Sequence, residues 1–220
     1  MNTDWGRHLK ISVDDTRLTP EIKDYNTRWK KEIEMDVGRM PNPHEKTKEM
    51  LSTYCHYHTC DGYIQGMHSV CDLLIRSMGI EAAFWGMTKF MGAQRRYMPF
   101  FDPDAFLNFA NKWERYFFIF TDGLESDAEH VMALKWGIYM FACSKTSKSE
   151  VIKLWDGIVA LPPDKWCRFT AAIAAAAVVR HLKENKEIYD PCIMFTVLTF
   201  ENGDQLIRRA KRMVRHMDSF

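Results

Sequence analysis

Two short motifs carry residue types that can act on a phosphoryl group. The first is Ile33-Glu34-Met35-Asp36-Val37-Gly38-Arg39, an I-x-x-D-x-x-R pattern. The second is Gly62-Tyr63-Ile64-Gln65-Gly66-Met67, a G-Y-x-Q-G-M pattern whose glutamine lies 26 positions after Arg39. An arginine offsets charge on a transferring phosphoryl group, and a glutamine can aim the attacking water. Asp36 and Arg39 are three apart and share a helix face. Asp36 can therefore hold the guanidinium through charge-assisted hydrogen bonds, bidentate at best. Ile33 lies on the same side and anchors the turn in the core. Gln65 precedes an apolar helix, near the free N–H groups and positive dipole end that favour anions. Gly62 and Gly66 allow close backbone approach or unusual torsions beside it. Tyr63 either packs beneath this turn or hydrogen-bonds across an interface. Taken singly, each motif also has a plain reading, as a surface Asp/Arg pair or a helix-capping glutamine.

The elements that must position these residues read as helices. Thr19 to Val37 has Thr19 as N-cap, Pro20 at N1 and Ile22, Tyr25, Trp29, Ile33 and Val37 at helical spacing. Gly38 and Pro41 stop it, and Pro41-Asn42-Pro43-His44 is a turn. Glu45 to Tyr57 is helical, and Cys60-Asp61-Gly62 breaks it. Met67, Val70, Cys71, Leu74, Ile75 and Met78 form one buried stripe, ended by Gly79. Helices are expected over Glu81–Met91, Asp104–Phe120, Ala128–Cys143, Glu150–Ala160 (capped by Ser149), Asp164–Asn185, Asp190–Phe200 and Asn202–Met217. Arg95 to Pro103 reads as a loop. No segment alternates with period two, so the expected class is all-α: one domain of roughly ten or more helices without a sheet.

At 220 residues, 46% hydrophobic and 27% charged, the composition suits one globular domain with a sizeable core. Thirty basic and 29 acidic residues give a net charge of +1, which argues against nucleic acid as main partner. The N-terminus has no apolar signal region, and Cys71, Cys143 and Cys167 sit in apolar helical patterns like buried free thiols. A reduced, cytoplasmic setting is expected. The apolar run Ala171–Val179 is too short to span a bilayer and suits close packing of helices. Cys55, His56, His58 and Cys60 lie too close in sequence to wrap one tetrahedral ion and read as packing, not a zinc site. The last helix puts Leu206, Ile207, Ala210, Met213, Val214 and Met217 on one side, with Arg208, Arg209, Lys211, Arg212 and Arg215 on the other. It reads as docked on the core with a solvated basic face. No Walker, G-x-S-x-G or H-E-x-x-H motif is present.

The two motifs in this order resemble those of the TBC domain family, the GTPase-activating domains for Rab GTPases. Glu81-Ala82-Ala83-Phe84-Trp85, Leu134-Lys135-Trp136 and Val151-Ile152-Lys153-Leu154-Trp155-Asp156 look like further segments of that family. The chain departs from it at Met40, where the family often has Thr, and at His68, where it often has Asn or Ser. Trp5 stands where the family's R-x-x-x-W element has its tryptophan, without the arginine. The resemblance implies a TBC-type domain over residues 1–220, with an N-terminal lobe to about residue 125 carrying both motifs and a C-terminal lobe after it. It implies a dual-finger mechanism in trans: Arg39 reaches the nucleotide phosphates of a GTP-form Rab, and Gln65 orients the water. Ile33, Asp36, Gly62, Tyr63, Gly66 and Met67 support them. GTP and magnesium belong to the Rab, and this chain needs no cofactor or metal of its own. Membrane association is then peripheral or through the Rab, in vesicle trafficking. The alternative is a silent TBC-like module that binds a Rab or another trafficking protein without accelerating it.

Overall fold

The computed structural model describes residues 3–59, 62–97, 103–124, 132–142, 146–185, 200 and 202–217. Every regular element among them is helical, so the expected all-α class holds. The chain forms two compact units, Met1–Arg96 and Tyr97–Phe220. Both phosphoryl-directed motifs lie in the first.

In the first unit the helices are α1 (Thr3–His8), α2 (Val13–Arg17), α3 (Lys30–Gly38), α4 (Thr47–Tyr57), α5 (Met67–Met78) and α6 (Ile80–Tyr97). The apolar stripe of α5 makes it the centre, with α1, α3 and α4 packed on it. Met67, Val70, Cys71, Leu74, Ile75 and Met78 are all buried, as their spacing requires. Trp5 of α1 is fully buried.

The expected helix from Thr19 is the main correction in this unit. Residues 19–27 are not helical, and α3 starts only at Lys30. Side chains of α4 and α6 capture the backbone and side chains that a helix would have used. The Lys23 N–H donates to Thr53 Oγ1 (3.0 Å), and Ser52 Oγ donates to the Tyr25 carbonyl (2.8 Å). Tyr25 stacks on His56 at 4.0 Å between centroids. Thr19 caps nothing. Its hydroxyl accepts from the Trp85 indole (3.0 Å) and donates to the Glu81 carbonyl (3.3 Å), tying this segment to α6. Helical spacing of apolar residues is therefore overridden by buried hydroxyls on a neighbouring helix.

The second unit contains α7 (Pro103–Phe120), a π-helical turn (Ala133–Ile138), α8 (Lys148–Val159), a 3₁₀ turn (Pro163–Lys165), α9 (Trp166–Asn185) and α10 (Gly203–Met217). Its hub is α9, packed against α7, α8, α10 and the π turn. Ala171 to Val178 are wholly buried, and these small side chains let neighbouring helices approach closely. Buried tryptophans spend their indole N–H groups on fixed partners. Trp113 donates to Thr170 Oγ1 (3.1 Å), and Trp155 donates to the Met140 carbonyl (2.7 Å).

Three further boundaries differ from expectation. The α6 helix continues through Tyr97, beyond the loop start expected at Arg95. Within the expected helix Ala128–Cys143, residues 128–131 and 143 lie outside the described residues, and the described stretch 132–142 is a π turn (Ala133–Ile138) followed by a non-helical turn, with Met140 and Phe141 at φ +45° and +67°. Trp136, Ile138, Met140 and Phe141 are all buried, a burial pattern one face of a straight α-helix cannot give. The N-cap of α8 is Ser147, whose hydroxyl accepts from the Glu150 N–H (3.4 Å), so the helix begins before Ser149. Of the helix expected over Asp190–Phe200, residues 190–199 lie outside the described residues, as do the breaker residues Cys60 and Asp61, Cys143, Cys192 and residues 98–102; Phe200 itself is not helical.

Leu206, Ile207 and Ala210 of α10 are buried, whereas Arg208, Lys211, Arg212 and Arg215 are exposed, matching a docked helix with a solvated basic face. Burial pushes the Cys55 and Cys167 thiols up to about 12. Cys71 is shifted upward too, by burial first. His56 stacks on Tyr25, while His58 stacks on Tyr54 and meets Thr88 Oγ1 at 3.2 Å, so these rings serve packing. No helix among the described residues is long and apolar enough to cross a membrane.

Candidate functional site

Arg39 follows the last residue of α3. Its backbone N–H donates to the Asp36 carbonyl (3.2 Å), closing the helix, and its side chain is 66% exposed. Ile33, one turn earlier than Asp36, is buried and fixes this end of α3. Asp36 itself is buried near the helix end. Its Oδ1 lies 3.8 Å from Arg39 Nη1, and its Oδ2 accepts from the Tyr63 hydroxyl (2.8 Å). The expected charge-assisted hydrogen bonding, one- or two-pronged, is therefore not formed: a single ion pair, too long for a hydrogen bond, holds the guanidinium. Tyr63 has taken the other oxygen. A pair this loose and exposed contributes little to stability. It leaves the arginine donors available to an incoming anion.

Gln65 sits in the turn just before α5, exposed to solvent. The turn is built around it. Gly66 is the N-cap of α5 with φ +103°, a left-handed conformation that glycine adopts without penalty. The Met67 N–H donates to the Ile64 carbonyl (3.1 Å), and the Ile64 N–H points at the sulfur of fully buried Met67 (3.1 Å). Gly62 has φ +67° and lies against the Trp29 ring, so that a Cβ there would meet Trp29 Cζ2 at 2.4 Å. Trp29 stands just before α3. The two motifs are thus joined twice, by Gly62 against Trp29 and by Tyr63 on Asp36.

Three residues outside the motifs also shape the site. His68 Nδ1 lies 2.8 Å from the Tyr63 hydroxyl and 3.6 Å from Asp36 Oδ2. Asp72 is fully buried, and its Oδ1 accepts from the His44 N–H (2.7 Å). Arg76 donates from Nε to Asp72 Oδ2 (2.9 Å) and from Nη2 to the Asn42 carbonyl (2.6 Å). Asn42 has φ +52°, a conformation asparagine tolerates better than most residues. Asp72 and Arg76 therefore fasten the loop that leaves Arg39 onto α5. One sequence signal could have exposed them: an acidic residue inside an apolar stripe, with an arginine four positions on.

The arrangement presents a cation and a carboxamide, both exposed, from two helix ends locked together by buried polar contacts. Chemically it can meet an anionic, phosphate-bearing partner and a water near it.

The family model for the Rab-GTPase-TBC domain matches residues 10–186. Among solved structures, one described as the crystal structure of the Chlamydomonas flagellar RabGAP TBC domain aligns with 96% of this chain and 68% of its own length, at 17% identity and a TM-score of 0.49. A comparison with curated proteins gave no match.

Proposed function

Because this chain belongs to the Rab-GTPase-TBC domain family, we propose that it accelerates GTP hydrolysis by a Rab-family GTPase in its GTP form, with Arg39 and Gln65 completing the Rab's own site in trans. Arg39 offsets charge building on the transferring phosphoryl group. Gln65 aims the attacking water. GTP and magnesium come with the Rab, and recruitment to endomembranes on the cytoplasmic side follows from that partner. The observation that supports this reading best is the joint placement of the fingers. Both side chains are exposed, yet their backbones are tied through Asp36 and Tyr63. Preorganised donors lose less freedom on meeting the transition state.

The test is phosphate release from a panel of GTP-loaded Rabs, with and without this chain. Stimulation of at least one Rab is expected. Arg39→Ala should reduce it on the order of 10³-fold or more, the range for an arginine finger. Gln65→Ala should also reduce it strongly. Unchanged stimulation in both variants overturns the mechanism. Binding of a GTP-form Rab without faster turnover would replace it with a silent docking module.

A further inference from the structure

His68 lies in the first turn of α5, and its side chain is only 15% exposed. Its Nδ1 has three near neighbours: the Tyr63 hydroxyl at 2.8 Å, the Gly66 backbone nitrogen at 3.4 Å and Asp36 Oδ2 at 3.6 Å. Proton counting decides what it does. The Tyr63 hydroxyl also lies 2.8 Å from Asp36 Oδ2. A phenol carries one proton, and a carboxylate only accepts. That proton therefore lies on the line from Tyr63 to Asp36. The phenolic oxygen is then left with lone pairs towards His68, and the contact at 2.8 Å is a bond only if Nδ1 carries a proton. The opposite tautomer would use Nδ1 to accept from the Gly66 N–H, which is aimed at it from 3.4 Å, a longer and weaker contact than the one to Tyr63 at 2.8 Å. It would also force Tyr63 to choose between His68 and Asp36.

We propose that His68 is a positioning residue for Arg39. In its Nδ1–H form it donates to the Tyr63 oxygen and so fixes the phenol proton on Asp36 Oδ2. That leaves Oδ1 facing Arg39. Such a chain of bonds is cooperative: each donor polarises the next. Without His68 the Tyr63 hydroxyl still donates to Asp36 Oδ2, but that bond loses the donor that polarises it, and the restraint that keeps Oδ1 turned to the guanidinium weakens. The ion pair at 3.8 Å has little strength of its own to compensate. Misplacing a finger lowers the rate of the chemical step more than it lowers affinity for the partner.

The activity consequence rests on the dual-finger reading, so the test has an arm that does not. In the whole chain carrying ¹⁵N-labelled histidine, the ring nitrogens of His68 are recorded above its titration and assigned by the signal lost in His68→Asn. A protonated Nδ1 and an unprotonated Nε2 are expected, with that preference weakened in Tyr63→Phe. An unprotonated Nδ1 overturns the proposal outright. In Rab turnover, His68→Ala should lower kcat about 10- to 100-fold with KM nearly unchanged, within the range for a displaced catalytic group. His68→Asn, whose amide can donate to the same oxygen, should recover most of the loss. An unchanged kcat in His68→Ala, or a loss confined to KM, also overturns it. If the unmutated chain stimulates no Rab, the dual-finger reading falls, and the nitrogen shifts alone decide the place of His68.

Discussion

A methyl group at Gly62 would have to occupy space already filled by Trp29, in a left-handed backbone conformation that costs a residue with a Cβ roughly 1–2 kcal/mol. Gly62→Ala should therefore destabilise the chain by about 2–4 kcal/mol once overpacking is added. A urea midpoint shift at unchanged slope checks this, and a shift below 1 kcal/mol would mean the ring yields easily. Tyr63→Phe keeps the ring but withdraws the donor from buried Asp36. The expected loss is about 1–3 kcal/mol, the cost of a buried acceptor left short of its bond. Paired with Asp36→Ala in a double-mutant cycle, Tyr63→Phe should show strong non-additivity, because the two changes delete one bond. At this scale the motif residues were legible because arginine, glutamine and their glycines are chemically distinctive at short spacing. His68 was not, since its meaning depends on which oxygen it faces across a turn. The lack of an Asp36–Arg39 hydrogen bond was not legible for the same reason: helix spacing shows that two side chains meet, not that a third, from the loop before α5, has already claimed one oxygen.

Among elements, α5 carries the widest responsibility. Its apolar stripe builds the core, the turn leading into it holds Gln65, and its polar pair Asp72 and Arg76 secures the loop after Arg39. Asp72→Ala should cost about 3 kcal/mol, the low end for breaking a buried pair, because Arg76 remains one-third exposed. Asp72→Asn retains an acceptor for the His44 N–H and should cost less. Hydrogen exchange at His44 separates the two: fast in the alanine variant, closer to native in the asparagine variant. A native rate in Asp72→Ala would show that the loop is held by other means. Helices whose apolar face is continuous, such as α5 and α7, could be placed within a residue or two from periodicity alone. The stretch from Thr19 could not. Its spacing is helical, but its backbone partners are Ser52 and Thr53, about 30 positions downstream, and no local pattern announces them. The π turn at Ala133–Ile138 escaped for a related reason: Trp136, Ile138, Met140 and Phe141 are all buried, at a spacing that matches no single helical face.

Across the whole molecule, near-balance of 30 basic and 29 acidic residues means that acid acts through particular carboxylates and not through a pre-existing charge excess. Glu150 is the clearest of these in the second unit. One of its oxygens accepts from the Gly203 N–H at 2.7 Å, joining the start of α8 to the start of α10, and the other faces Lys153. The Gly203 amide first, and Lys153 second, hold its carboxyl below the usual glutamate range. A carboxylate with a lowered folded value binds protons more weakly than in the unfolded chain. Its contribution to stability is thus complete above the unfolded value, about 4.3, and disappears as pH falls through the folded one. Glu150→Gln removes the charge at every pH. The variant should be less stable than the parent at pH 7, and the gap should close as pH falls below the unfolded value and through the lowered folded one, where the parent's own carboxylate takes up its proton. Urea unfolding of both chains across that range measures the gap. A difference that stays constant with pH would show that Glu150 acts only as a neutral acceptor, and that the tie between α8 and α10 is held by the burial of Leu206 and Ile207 instead.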